Sequence, residues 1–132
     1  MIITLAEAQH HLRLIVFGGE SPDDPWLNIW IPIIEQEIRA WLKDEWRLYL
    51  PEVDSEGEIV RDSNGIPIPQ YDSNGPVINP IVKGAALVEL GAQFRFREAD
   101  GAPQVPAHWG HGYAMGIGAT ALLAPLRRST VA

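Results

Sequence analysis

Hydrophobic residues in the first half of the chain recur every three or four positions, the period of a helix buried along one face. Leu5, Ala8 and Leu12 make the first such stretch. Thr4-Leu5-Ala6-Glu7 is a capping-box pattern, in which a hydroxyl and a carboxylate each take a free amide, and Ile2 or Ile3 is placed to staple the entry. A helix over about residues 4–14 follows, ended by Gly18-Gly19. Ser21-Pro22-Asp23-Asp24-Pro25 opens a second helix, with its acids at the positive end of the dipole. Trp26, Ile29/Trp30, Ile33/Ile34, Ile38, Trp41/Leu42 and Trp46 carry that helix over about 23–50. Pro32 predicts a kink within it and Pro51 stops it.

Residues 51–80 change in kind. Asp54-Ser-Glu-Gly57, Asp62-Ser-Asn-Gly65 and Asp72-Ser-Asn-Gly75 are three turn signals separated by short β-leaning runs. Asn-Gly supplies the positive φ of a tight turn, which predicts an extended β-hairpin around Asn64-Gly65. Pro67 and Pro69 cannot donate to a ladder, so the strand that holds them is an edge or a loose arm. The segment 53–78 is read as a protruding insertion. Asn79-Pro80 then caps a third helix over about 80–99. Ile81, Ala85, Val88 and Ala92 share one face, and Val82, Ala86, Leu90 and Phe94 lie beside it. Gly84 and Gly91 would let a neighbouring helix approach. A last Ala/Gly-rich helix spans about 113–124, closed by Pro125. The expected fold is mainly α, a small bundle of about four helices in a single domain (1–132), with an inserted β-hairpin arm between helices 2 and 3.

Composition narrows the function. The chain has 132 residues, 46% of them hydrophobic, which suits one domain with a real core. It has no cysteine, which removes disulfides, thiolate-bound zinc and thiol catalysis. A net charge of −7 speaks against an autonomous nucleic-acid binder, although a wall of carboxylates can let DNA pass without gripping it. The start lacks a cationic stretch ahead of a long apolar run and does not read as a secretory signal. No stretch approaches the roughly 18 apolar residues of a membrane helix. A soluble protein made in the cytoplasm is expected.

Four places, in order, resemble the head–tail connector (adaptor, head-completion) family of long-tailed bacteriophages. Ile3-Thr-Leu-Ala-Glu-Ala-Gln-His-His-Leu-Arg13 is similar to the family's opening helix, with Gln9 where a lysine is common. Asp23-Asp24 precedes the long helix, here Trp-rich where the family's is Ala-rich. Ile81 to Glu98, ending in Phe94-Arg-Phe-Arg-Glu98, resembles the third helix. Ala121-Leu-Leu-Ala-Pro-Leu-Arg127 is similar to the closing motif, with Leu126 in its aromatic slot. The arm is longer than the family's minimal connection.

The resemblance implies a non-enzymatic virion component of the phage neck, without cofactors. Such a protein docks beneath the portal, links the DNA-filled head to the next neck, stopper or tail-completion protein, and forms part of the channel for double-stranded DNA. It implies a homo-oligomeric ring of about twelve copies, whose closing interface joins two different patches. Leu126, Arg127 and Arg128 are the portal-docking segment by that resemblance. Ile59, Ile66, Ile68, Tyr71, Phe94, Phe96 and Trp109 are the candidates for contacts between subunits or with a neck partner.

Other chemistry is thinner. His10-His11 and His108-Trp-Gly-His111 invite a zinc site, and a small metal-binding enzyme using His108 and His111 is the alternative reading. Adjacent His10 and His11 diverge by about 100° on a helix, and no HExxH spacing accompanies them. The Asp-Ser-x-Gly turns lack the ligand spacing of a calcium loop, which turn chemistry explains without an ion. The Gly110–Gly118 glycines follow no predicted strand, so no dinucleotide fingerprint is present. Asp23/Asp24 read as capping, and Glu35/Glu37 face different sides of their helix. No catalytic, metal or cofactor residue is assigned. A helical adaptor of a non-viral assembly remains a further alternative.

Overall fold

The computed structural model describes residues 1–98 and 115–127. Four α-helices form the body: α1 (Leu5–His11), α2 (Asp24–Leu42), α3 (Pro80–Glu98) and α4 (Ile117–Leu123). A small antiparallel hairpin, β1 (Tyr71–Asp72) and β2 (Gly75–Pro76), lies between α2 and α3. The architecture is therefore the mainly helical one expected.

The start of α1 forms as its sequence dictates. Thr4 Oγ1 accepts from the Glu7 amide at 3.1 Å, and Glu7 Oε1 accepts from the Thr4 amide at 3.0 Å. Ile3, just outside the cap, and Ala8 in the next turn are both buried, the arrangement of a hydrophobic staple. The helix stops at His11, short of residue 14, because Arg13 takes a positive φ of 56°.

Helix α2 runs unbroken through Pro32 and ends at Leu42, where the expected helix continued to residue 50. Lys43 adopts a φ of 73° there, and Glu45–Leu48 follow as a single 3₁₀ turn. The break directs Leu48 into the core, where it is fully buried. The buried line of α2 is Leu27, Ile31, Ile34, Ile38 and Leu42. That line is rotated from the tryptophan-rich stripe, and it leaves Ile29 62% exposed and Ile33 exposed. Too many apolar residues ring this helix for one core to cover them.

Helix α3 begins as expected, with Asn79 Oδ1 accepting from the Ile81 amide at 3.0 Å and Pro80 in the first position. Its buried side is Val82, Ala85, Ala86, Leu90 and Phe94, so Ile81 and Val88 are left at the surface. Glu89, 1% exposed, accepts from Gln93 Nε2 at 3.0 Å and from the Gly116 amide at 2.9 Å, which pins the entry to α4. Helices α3 and α4 come close at Gly118, whose missing Cβ would lie 3.0 Å from Val88 Cγ1. Gly84 has nothing within 4 Å of that position and Gly91 only the edge of His11, so the close approach belongs to the last helix. An ion pair of 2.8 Å, Lys83 Nζ to Glu7, ties α3 to α1.

The arm is not one extended hairpin. Two of its Asp-led turns, at Asp54 and Asp62, fold the chain into a triangle held by a closed ring of backbone bonds, and the Asp72 turn closes the β1–β2 hairpin. Val60 donates to Glu52 O (2.9 Å), Ile68 to Val60 O (2.9 Å), and Glu52 to Ile68 O (2.8 Å). The bridges Val53–Ile59, Arg61–Pro67 and Pro51–Pro69 form its three corners. Each turn is closed by its aspartate: Asp54 accepts from Glu56 and Glu58, Asp62 from Asn64 and Ile66, and Asp72 from Asn74. Pro51, Pro67 and Pro69 have no amide hydrogen to extend a ladder, so pairing stays short and the strand changes partner. Base contacts hold the triangle to the helices, with Asn79 N donating to Leu48 O at 2.8 Å and Leu50 N to Val77 O at 2.9 Å.

Candidate functional site

The arm is exposed over residues 52–59 and 61–66 and packs against the body at its base. It folds over the 3₁₀ turn after α2, and Pro67 is buried by that contact. Between arm and helices lies a cavity of about 340 Å³ walled by Trp46, Arg47, Tyr49, Pro51, Ile59, Arg61, Pro67, Asn79 and Leu126. A more open groove of about 520 Å³, lined by Lys43, Asp44, Glu45, Trp46, Tyr49, Asp62 and residues 66–69, lies on the other side of Trp46. These volumes fall within the roughly 300–1,000 Å³ of small binding sites.

Charged side chains shape the floor. Arg47 lies over the Trp46 ring at 4.4 Å, donates through Nε to Asp44 at 2.9 Å, and donates through Nη1 to the Leu126 carbonyl. Arg127 lies over the Trp41 ring at 4.5 Å. The Arg47–Leu126 bond and the Arg127–Trp41 contact therefore hold the end of the helical region against α2 and its 3₁₀ turn, beside the base of the arm. Alongside runs a chain of ionic contacts: the amino terminus and Ile2 N bind Glu35, Glu35 and Glu45 share Arg39, and Tyr49 Oη donates to Glu45 at 3.1 Å. Burial pushes the Glu35 carboxyl up, but the Ile2 amide, Arg39 and the amino terminus together hold it below the usual carboxylate range. Arg39 holds Glu45 below that range. Burial, followed by the bond to Glu45, raises the Tyr49 phenol.

The predicted contact residues divide. Ile59, Ile66 and Tyr71 are exposed on the arm, and Ile68 is half-buried. Ile59 lines the cavity, while Ile66 and Ile68 line the groove. Phe94 is not a surface residue: it is buried, edge-on to Trp26 with ring centres 5.4 Å apart. The core took it because it continues the buried side of α3 rather than the outer one. Phe96 is half-buried beside Met115 and Ile117. Leu126 and Arg127 are tied to the body as described, and Arg128 and Trp109 lie outside the described residues. So do His108 and His111; His10 and His11 are exposed on α1. Among the described residues, no group of three His, Asp or Glu side chains could hold a metal ion, and no helix is long and apolar enough to cross a membrane.

One exposed feature was read from the sequence only as a helix stop. Phe17 and Glu20 exchange two backbone bonds, of 2.9 and 3.0 Å, across Gly18 and Gly19, whose φ values are 59° and 83°. This is a two-residue hairpin turn that presents Phe17 80% exposed. Gly-Gly between apolar and polar neighbours is a hairpin signal that could have found it. The turn is braced from beneath by Gln9, 5% exposed, whose Nε2 donates to Gly19 O at 3.2 Å and to Asp24 Oδ1 at 2.7 Å.

No family model matches the chain, and no curated protein or solved structure matches it either.

Proposed function

We propose that the chain is a ring-forming adaptor of a bacteriophage neck, a structural subunit that docks under the portal and joins the head to the next neck or tail protein. The observation that carries this reading is the amount of apolar surface left over by a well-packed body. Phe17 (80% exposed), Ile29 (62%), Tyr71 (67%) and Ile117 (88%) lie on four different parts of the fold. Dispersed contact surfaces of this kind suit a subunit with neighbours on several sides. The ordered resemblance along the chain names the assembly, and the mainly helical fold with an arm between α2 and α3 fits what that resemblance implies. A net charge of −7 fits a channel wall past which DNA slides. The clamped positions of Leu126 and Arg127 refine the docking idea. These residues lie near the base of the arm, and the portal is met by this segment and the arm together.

The test is to mix the protein with the portal encoded beside it and examine the product by electron microscopy. A ring of this chain capping the portal is the expected result. Absence of any complex with intact portal, well above micromolar concentration, refutes the reading.

A further inference from the structure

We propose that the Phe17 turn of one copy of this chain seats in the cavity at the base of the arm of a second copy. The proposal rests on the ring reading and gives it a specific subunit contact. Three observations carry it.

The first is that the turn is built rather than loose. It is closed by two backbone bonds and braced by a nearly buried glutamine, yet it holds Phe17 80% and Ile15 73% exposed. An aromatic side chain displayed in water on a closed turn gains when a partner covers it, because little backbone entropy remains to be lost. The second is the shape of the receptor. The cavity of about 340 Å³ offers Trp46, Pro51, Ile59, Pro67 and Leu126 as walls, a setting in which a phenyl ring is desolvated on several sides.

The third is charge. Arg47 and Arg61 line the cavity and no carboxylate does. Arg47 is already matched by Asp44, whereas Arg61 makes only a bond to Gly65 O and, among the described residues, no ion pair. The knob brings Glu20, which is exposed and, among the described residues, has no ion pair of its own. Turn and cavity also lie at opposite ends of α2, a helix of 19 residues and so about 28 Å long. A copy cannot fill its own cavity, so each gives one surface and receives the other, the requirement for a head-to-tail contact.

The chain has no cysteine, which makes trapping clean. Val16→Cys and Ile59→Cys proteins, mixed with the portal and oxidised, should yield a covalent heterodimer that neither variant gives alone. Phe17→Ala should weaken association by roughly 10-fold or more. Arg61→Glu should weaken it too, and adding Glu20→Lys should restore it. Rings on the portal without the cross-link, with Phe17→Ala assembling like the parent, overturn this contact and leave the ring reading intact. The cross-link without rings on the portal upholds the contact and overturns the ring. Neither rings nor cross-link overturns both.

Discussion

Replacing Gln9 by methionine separates what this residue bonds from the space it fills. The two side chains are of similar length, so packing beneath the Phe17 turn is kept while both donors are lost. The bond to Asp24 Oδ1 is short, 2.7 Å, and goes to a carboxyl side chain; the bond to Gly19 O, at 3.2 Å, goes to a backbone carbonyl. A charge-assisted bond contributes about 1.5–3 kcal/mol and a neutral one about 0.5–1.5. Asp24 is half-buried and keeps the Ser21 amide at 3.0 Å, so water replaces part of what is lost. The expected cost is therefore about 2–3 kcal/mol. For a domain of this size that is a fall in Tm of about 8–12 °C. Urea unfolding followed by far-ultraviolet circular dichroism should show a lower midpoint with an unchanged m-value. A loss below about 1 kcal/mol for Gln9→Met would refute the view that the turn is braced from below.

Acid should act on the Arg39 cluster. Glu35 and Glu45 are held below the usual carboxylate range when folded, so their contribution is present at neutral pH and is lost as pH falls from about 4.3 through the lower folded values. Thermal unfolding of Arg39→Met should begin below the parent at pH 7, and the gap should close toward pH 3; a constant gap contradicts the assignment. At the α3–α4 contact, the Cβ of Gly118→Leu would lie 3.0 Å from Val88 Cγ1. Both positions are exposed, so the cost should stay near about 1 kcal/mol or less, the low end of core overpacking, and Val88→Ala in the same chain should recover it. Unchanged stability of Gly118→Leu, or no recovery, would show that the helices are not in close contact there.

The legible parts of the fold were those in which neighbours in sequence settle the structure. The Thr4–Glu7 cap, the Asn79-Pro80 start and the Asp-Ser-x-Gly turns each satisfy their own backbone groups within a few residues, so composition alone is enough. What failed depended on distant partners. Which side of α2 is buried is decided by α1, α3 and Leu48, and tryptophans at helical spacing compete with the Leu27–Leu42 line without saying which wins. The end of α2 turns on Lys43, a residue with no helix-breaking tendency, held at positive φ while the following turn buries Leu48. Phe94 was legible as apolar but not as interior. The candidate site shows the same division: Ile59 and Ile66 are exposed as expected, whereas the clamping roles of Arg47 and Trp41 exist only once Leu126 and Arg127 return to the base of the arm.

The arm shows how a segment poor in regular structure can still be rigid. The linked residues Glu52, Val60 and Ile68 are eight apart, and each gives its amide to one of the other two and its carbonyl to the third. A ring of three such bonds leaves no unpaired backbone group at its centre, and the outward amides of Val53, Ile59 and Arg61, left without a backbone bond, are interrupted by the turns. Its outer residues are consequently free to be apolar: Val53, Ile59, Ile66 and Tyr71 are all exposed. Proline enforces this arrangement at the Arg61–Pro67 and Pro51–Pro69 corners by stopping those pairs before they grow into a ladder. An extended hairpin of the same length would present long unpaired strands to every neighbouring copy and would pair without regard to register. The closed triangle instead offers exposed side chains with only short stretches of unpaired backbone, and a subunit that must meet particular neighbours at a fixed angle needs contacts of that kind.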